Sequence, residues 1–336
     1  MLDRLHTPSS LLRLESDAPG VLSGLTWRDH PARPPVGDQV QVRVRAVGLN
    51  LRDVLKALAV LPANSPLPVV FGGDVAGTIS AVGPDVVDKR PGDDVMGSGT
   101  DTFASVVTLP SATLVTKPAS LSFAEAATIP IAFLTAMYAL HHVARVQRGE
   151  RVLIHAATGG VGLAAVQVCE QAGAEIFATA GSEPKRALLR ARGIRHVMDS
   201  RTLDFADEIS RVTGGAGVDV VLNSLYGKFL ERSLQCLGRF GRFVELGKRD
   251  IFENTRVGLG AFANNQTFRA VDLEQVPREH GTELLRQVLS DIERGVLQPL
   301  PRHEFPADQV AQAFRLMRSA QHVGKVVVLL DASPGA

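Results

Sequence analysis

The chain has 336 residues, 45% hydrophobic and 21% charged, an ordinary globular composition with room for two domains. Its formal net charge of +1 gives no electrostatic reason to expect nucleic acid or an anionic membrane as a partner. With two cysteines, Cys169 and Cys236, no disulfide framework is expected, and the chain reads as a cytoplasmic protein of a reducing compartment. Residues 1–6 lack the apolar core of a secretory signal. The most apolar stretch, 126–140, is shorter than the ~20 residues of a membrane span and contains Pro130, so it reads as a buried helix.

In chain order, residues 40–45 alternate with period two, as in a half-buried strand. Residues 75–83 form another short strand with glycine punctuation, and Pro91-Gly92-Asp93-Asp94 is a turn before Val95-Met96. Short strands separated by Gly and Pro predict a β-rich domain. Near residue 120 the pattern changes. Ser122, with Glu125 three residues on, has the spacing of a capping box. Strands at 151–156, 175–180, 218–222 and 242–246 then alternate with helices at 161–172 and 183–192. This alternation predicts a parallel, doubly wound sheet. Residues 307–317 read as a helix and 325–330 as a strand.

The strongest local signal is Ala157-Thr158-Gly159-Gly160-Val161-Gly162, between a predicted strand and the helix it opens. It is a variant of the dinucleotide fingerprint with Ala157 at the first glycine position. Small residues allow a tight turn and let free amides at a helix start approach a pyrophosphate. Glycines also make plain turns, but this setting within a β-α-β unit points to cofactor binding. An NAD site carries an acid about 20 residues past the fingerprint. Here the next strand runs into Gly181-Ser182, with Lys185 on the following helix and Arg201 in the next connection. A serine and two cations suit a 2′-phosphate, so NADPH is the expected cofactor. Glu183 reads as a helix-start acid. The alternative for Lys185 is a solvated face shared with Arg186, Arg190 and Arg192. Asn223 and Ser224 follow a strand at the edge where such sheets bind ligands, or are turn residues.

A structural zinc site of the alcohol-dehydrogenase kind needs four cysteines, so none is expected here and both thiols read as core residues. Segments spread over nearly the whole chain carry a more specific resemblance. Residues 48–55 (GLNLRDVL) are similar to "GLNFRDVL", 72–77 (GGDVAG) to "GGECAG", 154–162 (IHAATGGVG) to "VHAAAGGVG", 199–205 (DSRTLDF) to "SSRTLDF", and 322–327 (HVGKVV) to "HTGKVV". Residues 221–225 and 243–248 match as well. These are motifs of the enoyl-reductase domains of modular polyketide synthases, zinc-free members of the medium-chain dehydrogenase/reductase superfamily.

The resemblance implies an α/β fold of medium-chain reductase architecture. A Rossmann domain with a doubly wound parallel sheet is expected at 120–279. A β-rich, GroES-like substrate domain is expected at 1–119 with 280–336, and the active site in the cleft between them. It also implies NADPH-dependent reduction of the α,β-double bond of an acyl chain held as a thioester on an acyl carrier protein, among neighbouring synthase domains and without metal. Hydride addition at the β-carbon places charge on the thioester oxygen, and an acid must protonate the α-carbon. By resemblance, Lys248 and Asp272 are the candidate proton donor and its partner, Asp272 standing in a segment similar to "YRAFDL". An ordinary ion pair is the alternative. Asn50 and Thr135 are implied at the nicotinamide end, and Gly247, Gly324 and Lys325 are further cofactor-binding positions in matched segments.

One departure bears on stereochemistry. Many members carry a tyrosine in a "GMYP" segment. Here the segment is Ala59-Val60-Leu61-Pro62, and Leu61, in the expected substrate pocket, cannot donate a proton. In the family its absence goes with the opposite configuration at an α-methyl centre, which implies a 2R product. Lys248 or water is then the donor. The rivals are a free-standing quinone or enone reductase of the same superfamily and a non-catalytic NADPH-binding module. Residues 11–20 resemble the synthase type.

Overall fold

Alternating valines organise the first unit. The computed structural model describes residues 11–31, 33–60 and 70–330. An antiparallel pair, β1 (Leu12–Ser16) and β2 (Leu25–Asp29), precedes the long strand β3 (Gln39–Leu49). Val40, Val42 and Val44 face the core while Gln41, Arg43 and Arg45 lie on the other face, as period two requires. From Ala46 to Leu49 every residue is buried, because the strand there is covered on both faces. The short helix α1 (Leu51–Ala57) follows, and β4 (Asp74–Val82) pairs antiparallel with β3. β5 (Asp94–Ser98), β6 (Val106–Pro110) and β7 (Leu114–Thr116) complete this stretch, β6 pairing with the first half of β3. The capping box forms at α2 (Phe123–Ala126): Glu125 N donates to Ser122 Oγ at 3.1 Å, and Ser122 N to Glu125 Oε2 at 2.9 Å.

Beyond it come α3 (Pro130–Met137) and a π-helical turn, Tyr138–Val143. The run Phe123–Val143 is long and apolar enough to cross a membrane by length and composition. However, 72% of its most apolar window is buried, the pattern of a core helix, and Pro130 opens a new helix within it.

The alternation of strand and helix then follows: β8 (Arg151–Ile154), α4 (Gly160–Ala172), β9 (Glu175–Ala180), α5 (Glu183–Ala191), β10 (His196–Asp199) and α6 (Phe205–Val212). Next are β11 (Val218–Asn223), α7 (Lys228–Leu234), β12 (Leu237–Glu245), α8 (Arg249–Phe252), β13 (Thr267–Ala270) and α9 (Arg278–Glu293). All pairings in this sheet are parallel and its order is β10-β9-β8-β11-β12-β13. The chain runs outward from β8 in one direction and from β11 in the other. Their junction is the switch point where doubly wound sheets bind ligands.

The chain then returns to the first unit with β14 (Arg302–Pro306), α10 (Val310–Arg318) and β15 (Lys325–Leu329). β15 pairs antiparallel with Ala46–Leu49 of β3, which covers that end of the strand. Phe314 of α10 is fully buried, its ring 5.9 Å from Phe71 and 5.8 Å from Phe103.

The two compact units are Met1–Pro130 with Arg302–Ala336, and Ile131–Pro301. The boundaries thus differ from those read in the sequence, at 119/120 and 279/280. α9 and the segment after it belong to the parallel-sheet unit because they are bonded to α4. Gln167 Nε2 donates to Gln298 O at 3.1 Å, Gln298 N donates to Gln167 Oε1 at 2.8 Å, and Gln171 Nε2 donates to Asp291 at 3.1 Å. Two core substitutions test the packing. Phe314→Ala is expected to cost about 3–5 kcal/mol in urea denaturation, the range for deleting a buried ring, whereas Val87→Ala, 96% exposed, changes stability by no more than about 0.5 kcal/mol.

Candidate active site

Parallel strands place their carboxyl ends along one edge of the sheet, and most of the candidate residues fall there. The fingerprint follows β8, Ser182 and Lys185 follow β9, and Arg201 follows β10. On the other side of the switch point, Asn223 and Ser224 lie at the end of β11, Gly247 and Lys248 follow β12, and Asp272 follows β13.

At the fingerprint the chain turns sharply, with Ala156 in the left-handed region at φ 49°. Gly159 is the N-cap of α4, and Ala157 is fully buried, its amide donating to Thr179 O at 2.9 Å. Thr158 is buried as well, whereas Gly160 and Val161 are partly open at the helix head. A Cβ on Gly162 would stand 2.4 Å from Ala156 O, so only glycine lets the helix start lie against the turn. The first amides of α4 have no acceptor within the helix. The residues present therefore fit the pyrophosphate of a dinucleotide.

The next loop carries two cations. Desolvation, and then the charge of nearby Arg201, lowers the pKa of the half-buried Lys185. Such mutual repulsion is relieved by an anion between them. The Arg201 side chain also lies by Gly181, whose Cβ would stand 3.0 Å from Arg201 Nε. The neighbouring acids are engaged elsewhere: Glu183 pairs with Arg190 at 2.6 Å and Arg186 at 2.9 Å, and Asp199 with Arg186 at 2.8 Å. The Arg190 and Arg186 hydrogen bonds hold the Glu183 carboxyl below its usual range.

Across the switch point, Lys248 Nζ donates to Val271 O at 2.8 Å and lies 3.4 Å from Asp272 Oδ2. Both side chains are only partly exposed, at 24% and 27%. Asp272 Oδ1 accepts from Glu274 N at 3.2 Å, which fixes the carboxylate at a turn. Asn223 is fully buried and brackets its own turn: Oδ1 accepts from Leu225 N at 3.2 Å, and Nδ2 donates to Leu225 O at 2.7 Å. The same Nδ2 donates at 2.5 Å to Glu245 Oε2, and Gly247 N donates at 2.5 Å to Glu245 Oε1. Burial pushes the Glu245 carboxyl up to about 7 against these bonds. Glu245 was not singled out in the sequence. The signal available was a single acid closing the apolar run Phe243-Val244 at a strand end. Thr135, on α3, donates to Ile131 O at 2.6 Å and is half-buried.

The remaining candidates lie in the first unit. Lys325 Nζ is buried and donates to Leu49 O at 3.0 Å, Asn50 Oδ1 at 2.8 Å and Asp74 Oδ2 at 2.7 Å. Asn50 Nδ2 donates to Asp74 Oδ2 at 3.0 Å and Gly48 O at 3.2 Å, so both amide hydrogens are engaged within the unit. Gly324 adopts φ 71° just before β15 and lets the chain turn to aim Lys325 inward. Asp53 accepts from Asn50 N at 2.9 Å and Gly72 N at 2.8 Å, and burial raises its pKa. Leu61 lies outside the described residues.

A family model described as an alcohol dehydrogenase GroES-like domain matches residues 37–138, and one described as a zinc-binding dehydrogenase matches 192–328. The donor set does not fit zinc. Burial pushes both thiols up to about 12, whereas a zinc ligand must be a thiolate. Among the described residues no three His, Cys, Asp or Glu side chains are grouped to hold a metal. The chain is 43% identical over 330 residues to a phenolphthiocerol/phthiocerol polyketide synthase of Mycobacterium tuberculosis, covering 97% of this chain and 15% of that much longer protein. The structure of CurK enoyl reductase superposes with a TM-score of 0.86 at 43% identity, covering 96% of this chain and 99% of that one. Escherichia coli quinone oxidoreductase complexed with NADPH superposes with a TM-score of 0.84 at 27% identity, covering 95% and 99%.

The Lys325 network gives a direct test. Lys325→Met leaves Asp74, 0% exposed, as a buried charge without its cation. The expected loss is about 3–5 kcal/mol in urea denaturation. A change below about 1 kcal/mol would match an exposed pair instead.

Proposed function

From the chain's membership in the zinc-independent enoyl-reductase family of the medium-chain reductases, the kind found as a domain of modular polyketide synthases, we propose that it reduces the α,β-double bond of a 2-enoyl thioester with NADPH. The observation that carries this reading is the shared sheet edge: a glycine cradle at the switch point, a cation pair on one side, and Lys248 with Asp272 on the other. NADPH, when bound, supplies a hydride to the β-carbon, which leaves charge on the thioester oxygen and calls for a proton at the α-carbon.

The chain's own residues then have distinct tasks. Backbone amides of Gly160, Val161 and Gly162 at the head of α4 hold the pyrophosphate, Ala157, Thr158 and Gly159 shape the turn before them, and Ser182, Lys185 and Arg201 hold the 2′-phosphate. Lys248 holds a proton at Nζ, oriented by Val271 O and by Asp272, and delivers it to the α-carbon. Thr135 serves the nicotinamide end in the second unit, while Asn50 is held within the first unit by Gly48, Asp74 and Lys325. Lys325, turned inward by Gly324, fixes the Asn50 amide. Asn223, Ser224 and Gly247 shape the turns beside that end. We further propose that the substrate is carried by an acyl carrier protein among neighbouring synthase domains in the cytoplasm. The likeness to a polyketide synthase supports this, as does the CurK enoyl reductase match over nearly that whole chain.

Two measurements test the reading. The first is NADPH consumption with a carrier-mimicking 2-methyl-2-enoyl thioester, the product configuration being read by chiral chromatography. The expected product is 2R, and Lys248→Ala lowers kcat by about 10²-fold or more, the scale of general acid catalysis. Reduction of quinones but of no enoyl thioester would favour a quinone reductase. Clear NADPH binding with no turnover of either would leave a silent module. The second is dinucleotide binding by fluorescence. Lys185→Ala and Arg201→Ala should each weaken NADPH by at least about tenfold, as for a lost charged hydrogen bond, and leave NADH nearly unchanged. Equal losses for both cofactors would remove the 2′-phosphate assignment.

A further inference from the structure

We propose that Glu245 is a positioning residue whose ionised carboxylate holds the turn carrying Lys248, so that the reductase is active only when Glu245 has lost its proton. This rests on the assignment of Lys248 to the reaction made above. The geometry is a short chain of bonds. Glu245 Oε1 accepts from Gly247 N at 2.5 Å and so sets the turn immediately before Lys248. Its backbone oxygen accepts from Val271 N at 2.9 Å, and the oxygen of Val271 receives Lys248 Nζ at 2.8 Å. Glu245 therefore fixes both the base of the Lys248 side chain and the carbonyl on which its ammonium rests.

The hydrogen bonds around Glu245 select its charged form. Asn223 cannot turn its amide over to accept a proton from Glu245. Its oxygen faces Leu225 N and its nitrogen faces Leu225 O, and a flip would set like against like at both. Both Glu245 oxygens thus face N–H donors, which a carboxylate accepts from without conflict. Burial opposes ionisation, since the residue is 1% exposed. The charged groups that bear on it are Asp250, which raises its pKa further, and Lys248, which lowers it. The balance lies at about 7. Below that pH an added proton competes with Asn223 or Gly247 for the same oxygen, and the turn loosens.

The sign distinguishes this from loss of the donor's own proton. If Lys248 lost its proton, activity would fall as pH rises. Ionisation of Glu245 makes activity rise with pH. Fold stability from this group runs the other way: it is greatest at low pH, because the folded chain holds the proton more tightly, and is lost as pH rises through about 7.

The experiment is the pH profile of kcat between about pH 5.5 and 8.5, with NADPH affinity measured on each variant to confirm a folded unit. The wild type should show a rising limb centred near pH 7. Glu245→Gln should lower kcat by about tenfold, as for one lost charged bond, abolish the limb and leave NADPH affinity within about twofold. Asn223→Leu removes the donor that favours the carboxylate and should move the limb to higher pH. In a Lys248→Ala background, Glu245→Gln should add no further loss. A flat wild-type profile overturns the proposal without any variant. An impaired Lys248→Ala enzyme whose Glu245→Gln counterpart keeps the limb overturns Glu245 alone. A Lys248→Ala enzyme with wild-type kcat overturns the assignment beneath it, and the proposal with it.

Discussion

The register of β8, β11 and β12 is the constraint from which the rest of the second unit follows. Ile154 stands beside Leu222, and Asn223 beside Glu245, in parallel ladders of backbone hydrogen bonds. Because the strands are parallel, every connection at this edge leaves from a carboxyl end, and the loops after β8, β11 and β12 are neighbours in space. The ladder does not stop at the last paired residue. Leu246 N bonds to Asn223 O, Val271 N to Glu245 O, and Ala157 N to Thr179 O, all at 2.9 Å. The first residue of each loop is thus tied to the sheet by its backbone, and the Asn223 and Glu245 side chains set the turns just beyond it.

Those features that depend on local pattern were legible in the sequence. The valine alternation of β3, the capping box at Ser122, and the small residues between β8 and α4 each follow from side-chain size and spacing alone. Strands β8, β9, β11 and β12 and helices α4 and α5 followed from the same periodicities, whereas β10, β13, α6, α7 and α9 did not stand out. Ser182, Lys185 and Arg201 stood out by their position past the fingerprint, and Asn223 and Ser224 by a strand end, whereas Lys248, Asp272, Asn50 and Thr135 were singled out only through the family resemblance, since a lysine after a strand carries no signal of its own. What stayed hidden depended on partners distant in the chain. α9 has an amphipathic pattern, but its membership in the second unit rests on Gln167 and Gln171 meeting Gln298 and Asp291. Lys325 looked like a residue of a cofactor motif. Its three acceptors, from Leu49, Asn50 and Asp74, lie 251 to 276 positions away.

Two buried carboxylates show how burial alone does not decide a role. Asp74 and Glu245 are equally removed from water, at 0% and 1% exposure. Asp74 has the ammonium of Lys325 at 2.7 Å and the Asn50 amide at 3.0 Å. The ammonium and the amide together replace the water this carboxylate has lost, so the network holds Asn50 rigidly in place. Glu245 has two neutral N–H donors, and the pull of nearby Lys248 is opposed by Asp250. Neutral donors compensate less of the desolvation than a cation in contact, and the carboxyl is left balanced near neutrality. The difference between a strut and a switch is therefore one well-placed ammonium. The chain has placed the strut in the first unit beneath Asn50 and the balanced group beside Gly247, where a change of charge reaches the turn that leads into Lys248.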